Sequence, residues 1–540
     1  MTPAPVLTGV LTIVGKDDYM VTPITKVILK IAIAVLYGLL CYLVGRDGWT
    51  STDLALLMLI AGLLSALWLR PTLVFASSRS HLRQKQMSNR PMKIAIVILE
   101  FPALNETFIL DHITGLIDRG HEVDIYAMAP KGEPKEHAEI DRYALLSRTV
   151  YRDSTKFMLP ENRLPRILHG IPLFARGLLT NPRGTLNSLN VSRFGKRALS
   201  LTVLFEVAPF ISRSGGYDIV HCHFPENGEL AVHMRDIGAI TGKIVTQFHS
   251  YHLPFFKPGY FPDGRADHLF PNLFKEGDLF LTSGEHSKRF FDNAGWGREK
   301  MIIHRYSVPL GLFDASNPGL NDDGQVRLLS VGRLVQKKGF KYSIQGVANI
   351  LQRFPNVRYD IAGDGPLRSS LERLIADLGV ANNIRLLGFQ TREEILQLLK
   401  RANIFLAPCV TSDGTEDGRW EDAETGPIVV LEAMASGIPV ISTRHAGIPE
   451  FLHDDESGFL LEERDVDGIA DRLTHLLMHP EIWQEMGQKG RKHVEKYHSL
   501  DKQNDRLVEI YRHLLEGDSQ SQRADNQTTL EYQKGQSYVS

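Results

Sequence analysis

Two glutamates, Glu424 and Glu432, stand eight positions apart in the segment ETGPIVVLEAM. A pair of carboxylates can act as the general acid and base of a glycosidase. Pro427 lies between them and is well placed as the first residue of a helix, which puts Glu424 in the preceding loop and Glu432 in the second helical turn. The two acids therefore do not share a helical face, although both can point into one cleft. Because its neighbours are apolar, Glu432 is expected on a largely buried helix, where a carboxylate needs hydroxyl or amide donors.

A basic turn, SVGRLVQKKGF, follows a predicted strand that ends at Gly332. Arg333 can hold two phosphate oxygens with its forked guanidinium, Lys338 adds a point charge, and the following helix offers free amide groups. The turn is therefore suited to a diphosphate, and a solvated basic loop is the simpler alternative. The segment IAGDGPL repeats the design one unit later, with Gly363 and Gly365 in a tight turn before a helix, as in many αβ proteins.

Histidines end two further predicted strands. His221 and His223 lie on one side of the strand in IVHCHF, because side chains alternate along a strand. They could ligate a metal ion, but no third ligand is visible at a suitable spacing, so the sequence predicts no metal site. His249 ends the strand KIVTQFH and has either a structural role or a place in a catalytic lid or acceptor loop.

The composition is that of an ordinary folded protein. A chain of 540 residues is too long for one core, so two or three domains are expected. The formal net charge of −2 gives no indication of nucleic acid as a partner. The three cysteines, Cys41, Cys222 and Cys409, form no disulfide framework and no metal-binding spacing, which suits a reducing compartment.

Buried strands alternate with helices along two stretches of the chain, which predicts parallel sheets covered on both faces. The predicted strands of the first stretch lie in MKIAIVILEFP, HEVDIYAMA, YDIVHCHF, KIVTQFH and DLFLTSG, and those of the second lie in VRLLSVG, VRYDIAG, NIRLLGF, IFLAP and PVIST. Residues from about 130 to 210 are expected to form basic amphipathic helices that pack on the first domain or approach a membrane. The predicted fold class is α/β, with two tandem Rossmann-like domains facing across a cleft at the carboxyl ends of their strands.

Two apolar runs precede these domains, at residues 27–44 and 54–69, each near the lower length limit for crossing a bilayer. The basic residues that follow the second run are Arg70, Arg79, Arg83, Lys85 and Arg90. By the positive-inside rule this side is cytoplasmic, so a helical hairpin with both ends in the cytoplasm is predicted. A hairpin lying in the membrane interface, or a true start at Met92, are alternatives. A signal peptide fits poorly because no small-residue cleavage site closes the first run.

Several of these segments together resemble the family-4 glycosyltransferases of the GT-B fold, over about residues 92–515. The resemblance rests on Gly332–Arg333, Lys338–Gly339, the GDGP turn and the segment ETGPIVVLEAMASGIPVIST, which is similar to the E-x7-E motif of that family. The N-terminal FPALNETFI is similar to the subgroup that builds exopolysaccharides of the colanic-acid type. In that subgroup a glycine-rich loop is replaced, so residues 105–107 stand where flexible glycines are usual.

The resemblance implies a retaining transfer of a hexose from a nucleotide-diphosphate sugar to a hydroxyl of a lipid-linked saccharide acceptor, in exopolysaccharide or cell-surface glycan synthesis. It also implies a role for each candidate residue. For the nucleotide, Arg333 and Lys338 neutralise the leaving diphosphate, Glu432 accepts hydrogen bonds from the ribose, and Gly363 and Gly365 belong to the nucleotide-binding turn. For the donor sugar, Glu424 holds its hydroxyls, His249 lies against it, and Thr425 and Gly426 lie near the sugar or phosphate. No metal cofactor is expected, since cationic side chains can replace one.

The resemblance also implies a domain organisation. The predicted parts are a membrane-associated hairpin and linker at 1–90, an acceptor-side domain at 91–315, a nucleotide-sugar domain at 316–498, a helix at 499–516 that packs back toward the first domain, and a disordered tail at 517–540. The expected location is the inner membrane, attached through residues 27–69, with the catalytic domains in the cytoplasm. Two other functions remain open: a nucleotide-sugar epimerase of the same fold, and a membrane-tethered binding module without catalysis.

Overall fold

The structure is a computed structural model that describes residues 90–102, 106–130, 137–152, 157–211, 216–249, 270, 272–294, 298–315, 324–413 and 426–517. The predicted membrane hairpin at 27–69 and the predicted tail after 517 lie outside these ranges, as do Asn105, Glu424 and Thr425. Within the described ranges, no helix combines the length and the apolar character needed to cross a membrane.

The first sheet consists of seven parallel strands in the order β3-β2-β1-β4-β5-β6-β7. Its strands are β1 Lys93–Phe101, β2 Glu122–Pro130, β3 Thr149–Tyr151, β4 Ile219–His223, β5 Lys243–Gln247, β6 Leu279–Thr282 and β7 Met301–Ile303. The period of two sends alternate side chains of β1 to opposite faces, so Ala95 and Val97 enter one apolar cluster while Ile94 and Ile96 enter another. Because both faces of the sheet are buried, the sequence of β1 is a nearly continuous apolar run.

The helices of this domain cover both faces of the sheet. They are α1 Thr107–Asp118, α2 Ala138–Arg142, α3 Leu145–Arg148, α4 Arg163–Thr180, α5 Pro182–Asn187, α6 Val191–Phe194, α7 Lys196–Leu199, α8 Thr202–Ile211, α9 Pro225–Ile237, α10 Leu273–Glu276 and α11 Glu285–Ala294. The described residues between 130 and 210 are thus mostly helical, as predicted. Within it, α8 is buried against the sheet, and α4 packs on the outer side of α8 and α5.

The second sheet consists of six parallel strands in the order β10-β9-β8-β11-β12-β13. Its strands are β8 Val326–Val331, β9 Val357–Ala362, β10 Ile384–Gly388, β11 Ile404–Ala407, β12 Val440–Thr443 and β13 Gly458–Leu461. The helices that follow these strands are α12 Phe340–Ile350, α13 Arg368–Asp377, α14 Arg392–Arg401, α15 Ile428–Ala435, α16 Val466–Met478 and α17 Trp483–Tyr497. Short 3-10 turns occur at Arg298–Lys300, Leu310–Leu312, Gln336–Lys338, Ile448–Glu450 and Pro480–Ile482.

Three strands, β3, β7 and β13, were not predicted, and all three are short edge strands. β3 and β7 have three residues each and β13 has four, which is too short for an apolar pattern to stand out from a loop. The helix that carries Glu432 begins at Ile428, one residue later than predicted, because Pro427 has an extended backbone and occupies the capping position. Glu432 nevertheless lies in the second turn, as the sequence indicated.

A last helix, α18 (Leu500–Glu516), returns from the second domain to the first. Its apolar face joins the cluster under β1 and α1, where Leu507 and Tyr511 are fully buried. The polypeptide therefore passes between the domains twice, and the two connecting segments are hydrogen-bonded to each other. The amide of Val308 donates to the carbonyl of His498 at 2.9 Å, and the amide of Leu500 donates to the carbonyl of Val308 at 3.0 Å.

Candidate active site

Each sheet has one point where the order of its strands reverses, and there the loops diverge and leave a crevice. In the second sheet this point lies between the neighbouring strands β8 and β11. The turn after β8 carries Arg333 and Lys338, and the loop after β11 leads to α15 with Glu432. In the first sheet the reversal lies between β1 and β4, and β4 ends at His223. The topology thus brings residues predicted from three separate motifs to two crevices.

The turn after β8 is shaped by close backbone packing against the turn after β9. A Cβ at Gly363 would stand 1.9 Å from the carbonyl oxygen of Gly332, and both glycines have positive φ angles. The amide of Leu334 donates to the carbonyl of Asp364 at 2.9 Å, so the two turns are hydrogen-bonded as well. A Cβ at Gly365 would likewise meet the backbone of Leu334. These glycines are therefore required for the shape of the basic turn.

The two cations of this turn differ in environment. The side chain of Arg333 is exposed and makes no hydrogen bond or ion pair with any residue in the described ranges. The side chain of Lys338 is half-buried and lies against Gly332, with its Cε 3.2 Å from the position that a Cβ of Gly332 would take. A guanidinium in solvent beside a packed ammonium is suited to an anion that enters the crevice from outside.

Glu432 is the most unusual carboxylate near this crevice. Burial raises its pKa from the ordinary 4.5 to about 7, the positive charge of Arg392 opposes this shift, and the negative charge of Asp111 adds to it. The side chain is half-buried, and within the described part of the chain no group donates a hydrogen bond to it. A carboxylate in this state lacks the donors that normally accompany burial, which is a common property of ligand sites.

Asp111 and Arg392 form an ion pair that joins the two domains beside Glu432. The two guanidinium NH groups of Arg392 donate to the two carboxylate oxygens of Asp111 at 3.0 and 3.1 Å, and both residues are buried. Burial raises the pKa of Asp111, against the effect of Arg392. This pair was not predicted from the sequence. The available signal was an acid within the apolar helix segment ILDHITGL, and nothing local indicates its partner.

His249 lies at the carboxyl end of β5 and belongs to a chain of buried hydrogen bonds. Its Nδ1 pairs with the hydroxyl of Tyr306 at 3.0 Å, and its Nε2 pairs with Nδ1 of His223 at 3.0 Å. This series of hydrogen bonds continues from His223 Nε2 to His112 Nδ1 at 3.2 Å. It then runs from His112 Nε2 to the hydroxyl of Tyr511 at 3.3 Å, and from that hydroxyl to His221 Nδ1 at 2.6 Å. Both ring nitrogens of His249 are therefore engaged within the protein, and a sugar hydroxyl can reach one only by replacing Tyr306 or His223.

A third histidine that the spacing of the sequence does not reveal, His112 of α1, lies beside His221 and His223. One nitrogen of each histidine lies within 4.8 Å of the others, an arrangement that could hold a metal ion. Burial lowers the pKa of all three rings well below the usual value, so they are neutral. The signal was again a polar residue on the buried face of α1, and it could not be assigned to this cluster without the fold.

Tyr306 connects the two sides of the cleft. A Cβ at Gly426 would stand 3.1 Å from the ring of Tyr306, so the end of the loop that carries Glu424 and Thr425 lies against this ring. The carbonyl of Tyr306 also accepts a hydrogen bond from His498 at 2.7 Å. Of the predicted site residues, Gly426 and His249 therefore both contact Tyr306. Glu424 and Thr425 lie outside the described ranges.

Glu450 makes a second contact between the domains. Its carboxylate accepts hydrogen bonds from the first two backbone amides of α11, those of Glu285 (2.9 Å) and His286. A side chain at Gly284 would collide with this carboxylate. A negative charge at the start of a helix satisfies free amides and complements the helix dipole, so Glu450 fixes α11 of the first domain to the second.

Comparison with known proteins gives consistent results. The family model described as "Glycosyl transferases group 1" matches residues 314–493. The chain is 32% identical to the putative colanic acid biosynthesis glycosyltransferase WcaL of Escherichia coli K12, over 71% of this chain and 90% of WcaL. It is also 32% identical to the amylovoran biosynthesis glycosyltransferase AmsK of Erwinia amylovora, over 71% of this chain and 90% of AmsK. Among solved structures, Anabaena HepE in complex with UDP-glucose is similar in fold, with a TM-score of 0.56 and 15% identity over 77% of this chain and 98% of HepE.

The raised pKa of Glu432 leads to a prediction about stability. Because the carboxyl binds its proton more tightly in the folded than in the unfolded state, ionisation costs stability as the pH rises from about 4.5 to above 7. Glu432→Gln should therefore stabilise the ligand-free protein by about 1–3 kcal/mol at pH 8 and by little at pH 4.5. Thermal unfolding at the two pH values measures this difference, with exposed Glu509→Gln as the matched control. Equal effects of Glu432→Gln at both pH values would contradict the assignment.

Proposed function

The chain belongs to the group 1 glycosyltransferases and has the GT-B fold, and from this we propose that it transfers a hexose from a nucleotide-diphosphate sugar to a saccharide acceptor with retention of configuration. The donor occupies the crevice between β8 and β11 of the second domain. The acceptor enters from the side of the first domain.

The observation that carries this proposal is the state of Glu432. A half-buried carboxylate with a pKa of about 7, to which no group in the described part of the chain donates a hydrogen bond, is suited to hydroxyl groups from a ligand. The two vicinal hydroxyls of a ribose supply such donors in the geometry that a carboxylate accepts. Arg333 and Lys338 lie on the turn after β8. We assign the diphosphate of the same nucleotide to this turn.

Transfer breaks the bond between the anomeric carbon and the β-phosphate oxygen, so negative charge grows on the leaving diphosphate. Fixed cations that meet this charge stabilise the transition state more than the ground state. Arg333 and Lys338 supply two positive charges, and the free amides at the start of α12 add to them. These groups take the place of a metal ion, so the proposed reaction needs no metal cofactor.

The donor sugar is placed near Gly426, where the loop that carries Glu424 and Thr425 meets Tyr306. Glu424 is assigned to hydroxyls of the sugar, with Thr425 and Gly426 near the sugar or phosphate. His249 lies across Tyr306 from this point, and His223 fixes its ring through Nε2. In this assignment a sugar hydroxyl replaces the tyrosine hydroxyl at Nδ1 of His249.

The acceptor and the location are inferred from the relatives and from the N-terminal sequence. WcaL and AmsK are named for the biosynthesis of colanic acid and amylovoran, which supports a role in the synthesis of an exopolysaccharide or another cell-surface glycan. A lipid-linked acceptor at the inner membrane fits the apolar runs at 27–69 and the basic residues that follow them. The catalytic domains are assigned to the cytoplasmic side.

The diphosphate assignment predicts a large effect of Lys338→Ala. Loss of one preorganised charge in the transition state should lower the turnover number by about 100- to 1,000-fold. Lys400→Ala is the matched control, because Lys400 is exposed at the end of α14, and its activity should be unchanged. Transfer is measured with radiolabelled nucleotide sugar and a saccharide acceptor. Near-normal turnover in a folded Lys338→Ala protein would contradict the assignment.

Conversion of the donor without acceptor would instead favour an epimerase.

The assignment of Glu424 to the sugar predicts a separation of effects. Glu424→Ala should lower transfer strongly and leave the affinity for the nucleoside diphosphate nearly unchanged, because the nucleoside diphosphate lacks the hexose that Glu424 is proposed to hold. Calorimetric titration of the nucleoside diphosphate and initial transfer rates measure the two properties. An equally large loss of nucleotide affinity would show that Glu424 holds the nucleotide instead.

The proposed independence from metal ions is tested by chelation. Transfer after treatment with EDTA should equal transfer before it, since Arg333 and Lys338 supply the charge. Zn²⁺ and Mg²⁺ are then added back separately. A loss on chelation that a metal ion restores would contradict the proposal, and the cluster of His112, His221 and His223 would be its first candidate site.

A further inference from the structure

Exposed apolar side chains are concentrated in one segment of the first domain. Within the described part of the chain, thirteen large apolar residues are exposed, and seven of them fall between residues 158 and 199. These seven are Met158, Leu164, Leu168, Ile171, Leu179, Leu186 and Leu199. Scattered exposed leucines are normal in soluble proteins, but a contiguous group marks an interaction surface.

Four of these residues form a stripe along α4. Leu164, Leu168, Ile171 and Leu179 are spaced by four, three and eight positions, which places them on one face of a helix, and their exposed fractions range from 58 to 77%. We call these four residues the α4 stripe.

The opposite face of α4 already packs on the domain. A Cβ at Gly170 would stand 2.9 Å from the side chain of Leu201, and one at Gly177 would stand 2.7 Å from Ile211. Phe174 packs against the core cluster beneath α8. The helix is thus anchored by its other side, and the α4 stripe contributes nothing to this packing.

The segment around the stripe is strongly basic. No aspartate or glutamate occurs between residues 162 and 205, whereas seven basic residues do: Arg163, Arg166, Arg176, Arg183, Arg193, Lys196 and Arg197. The whole chain has a net charge of −2, so this concentration is local. Arg193 and Arg197 pair with Asp236 and Glu206. Arg163, Arg183 and Lys196 are exposed and form no ion pair with any described residue.

From these observations we propose that α4 lies along the surface of an anionic membrane, with the α4 stripe among the acyl chains and the arginines at the lipid phosphates. An apolar face beside excess Arg and Lys is the pattern of a helix bound in the plane of the interface. A second copy of the chain is a poorer occupant, because it would bring two positively charged surfaces together. This inference rests on the proposed function, since a lipid-linked acceptor would lie in the same membrane, and it adds a contact separate from residues 27–69.

A site-resolved measurement tests the contact in the full-length protein. A nitroxide label is attached at Ile171→Cys and, as a control, at Met478→Cys, which is 51% exposed in the last turn of α16 of the second domain. Cys41→Ser is included in both variants, and Cys222 and Cys409 are buried. The collision rates of the label with oxygen and with a water-soluble nickel chelate are compared in vesicles of phosphatidylglycerol and phosphatidylethanolamine.

The proposal predicts that the ratio of oxygen to nickel collisions at position 171 rises several-fold with these vesicles and less with phosphatidylcholine alone, while position 478 does not change. A label at 171 that stays in water on anionic vesicles would overturn the proposal. Shielding of the label without vesicles would also overturn it and would indicate a second copy or the N-terminal segment as the occupant.

A functional variant separates this proposal from the assignment of the reaction. Leu168→Ser with Ile171→Ser should lower transfer to a lipid-linked acceptor in anionic vesicles at least several-fold and leave transfer to a short water-soluble acceptor unchanged. Equal transfer to the membrane-borne acceptor would contradict a role of the stripe. Absence of transfer to either acceptor by the unmodified enzyme would overturn the proposed function, and the labelling result would still decide the membrane contact.

Discussion

The buried ion pair between Asp111 and Arg392 is the constraint on which the rest of the site depends. It joins α1 of the first domain to the start of α14 in the second, with both carboxylate oxygens engaged. Removing one partner of such a pair leaves an uncompensated buried charge, which typically costs about 3–5 kcal/mol. Together with the contact of Glu450 at the start of α11, the pair fixes the two crevices relative to each other. It also sets the charge around Glu432, because Arg392 favours and Asp111 disfavours ionisation of that carboxyl.

The candidate site is organised around groups whose partners are missing from the described protein. No group in the described ranges donates a hydrogen bond to the carboxylate of Glu432, and the side chain of Arg333 is exposed, whereas the surrounding backbone is tightly packed through Gly332, Gly363 and Gly365. A rigid backbone that holds unsatisfied polar groups lowers the stability of the ligand-free protein, and ligand binding offsets this loss of stability. On the first-domain side, by contrast, both ring nitrogens of His249 are engaged by Tyr306 and His223, so the orientation of His249 is fixed before a ligand binds.

The sequence predicted those parts of the fold and the site whose signals are local. Continuous apolar strands, glycine turns and helix starts indicated two parallel sheets, and the topology of β8 and β11 then explains why Arg333, Lys338 and Glu432 approach one crevice. Contacts between residues far apart in the chain could not be predicted. Asp111 and Arg392 are separated by 281 positions, and nothing in the sequence around either residue indicates its partner. Likewise, the third histidine of the buried cluster was missed because only the packing of α1 against β4 places His112 beside His221 and His223.

The central claim is that the carboxylate of Glu432 binds the ribose of the donor nucleotide. A chemical double-mutant cycle tests it most directly: the affinities of a nucleoside diphosphate and of its 2′,3′-dideoxy analogue are measured on the unmodified protein and on Glu432→Ala. The account predicts that loss of the ribose hydroxyls weakens binding to the unmodified protein by about 10-fold or more and has little effect on the variant, since hydrogen bonds to a charged group contribute roughly 1.5–3 kcal/mol. The same loss of affinity in both proteins would show that the hydroxyls bind elsewhere and would contradict the account.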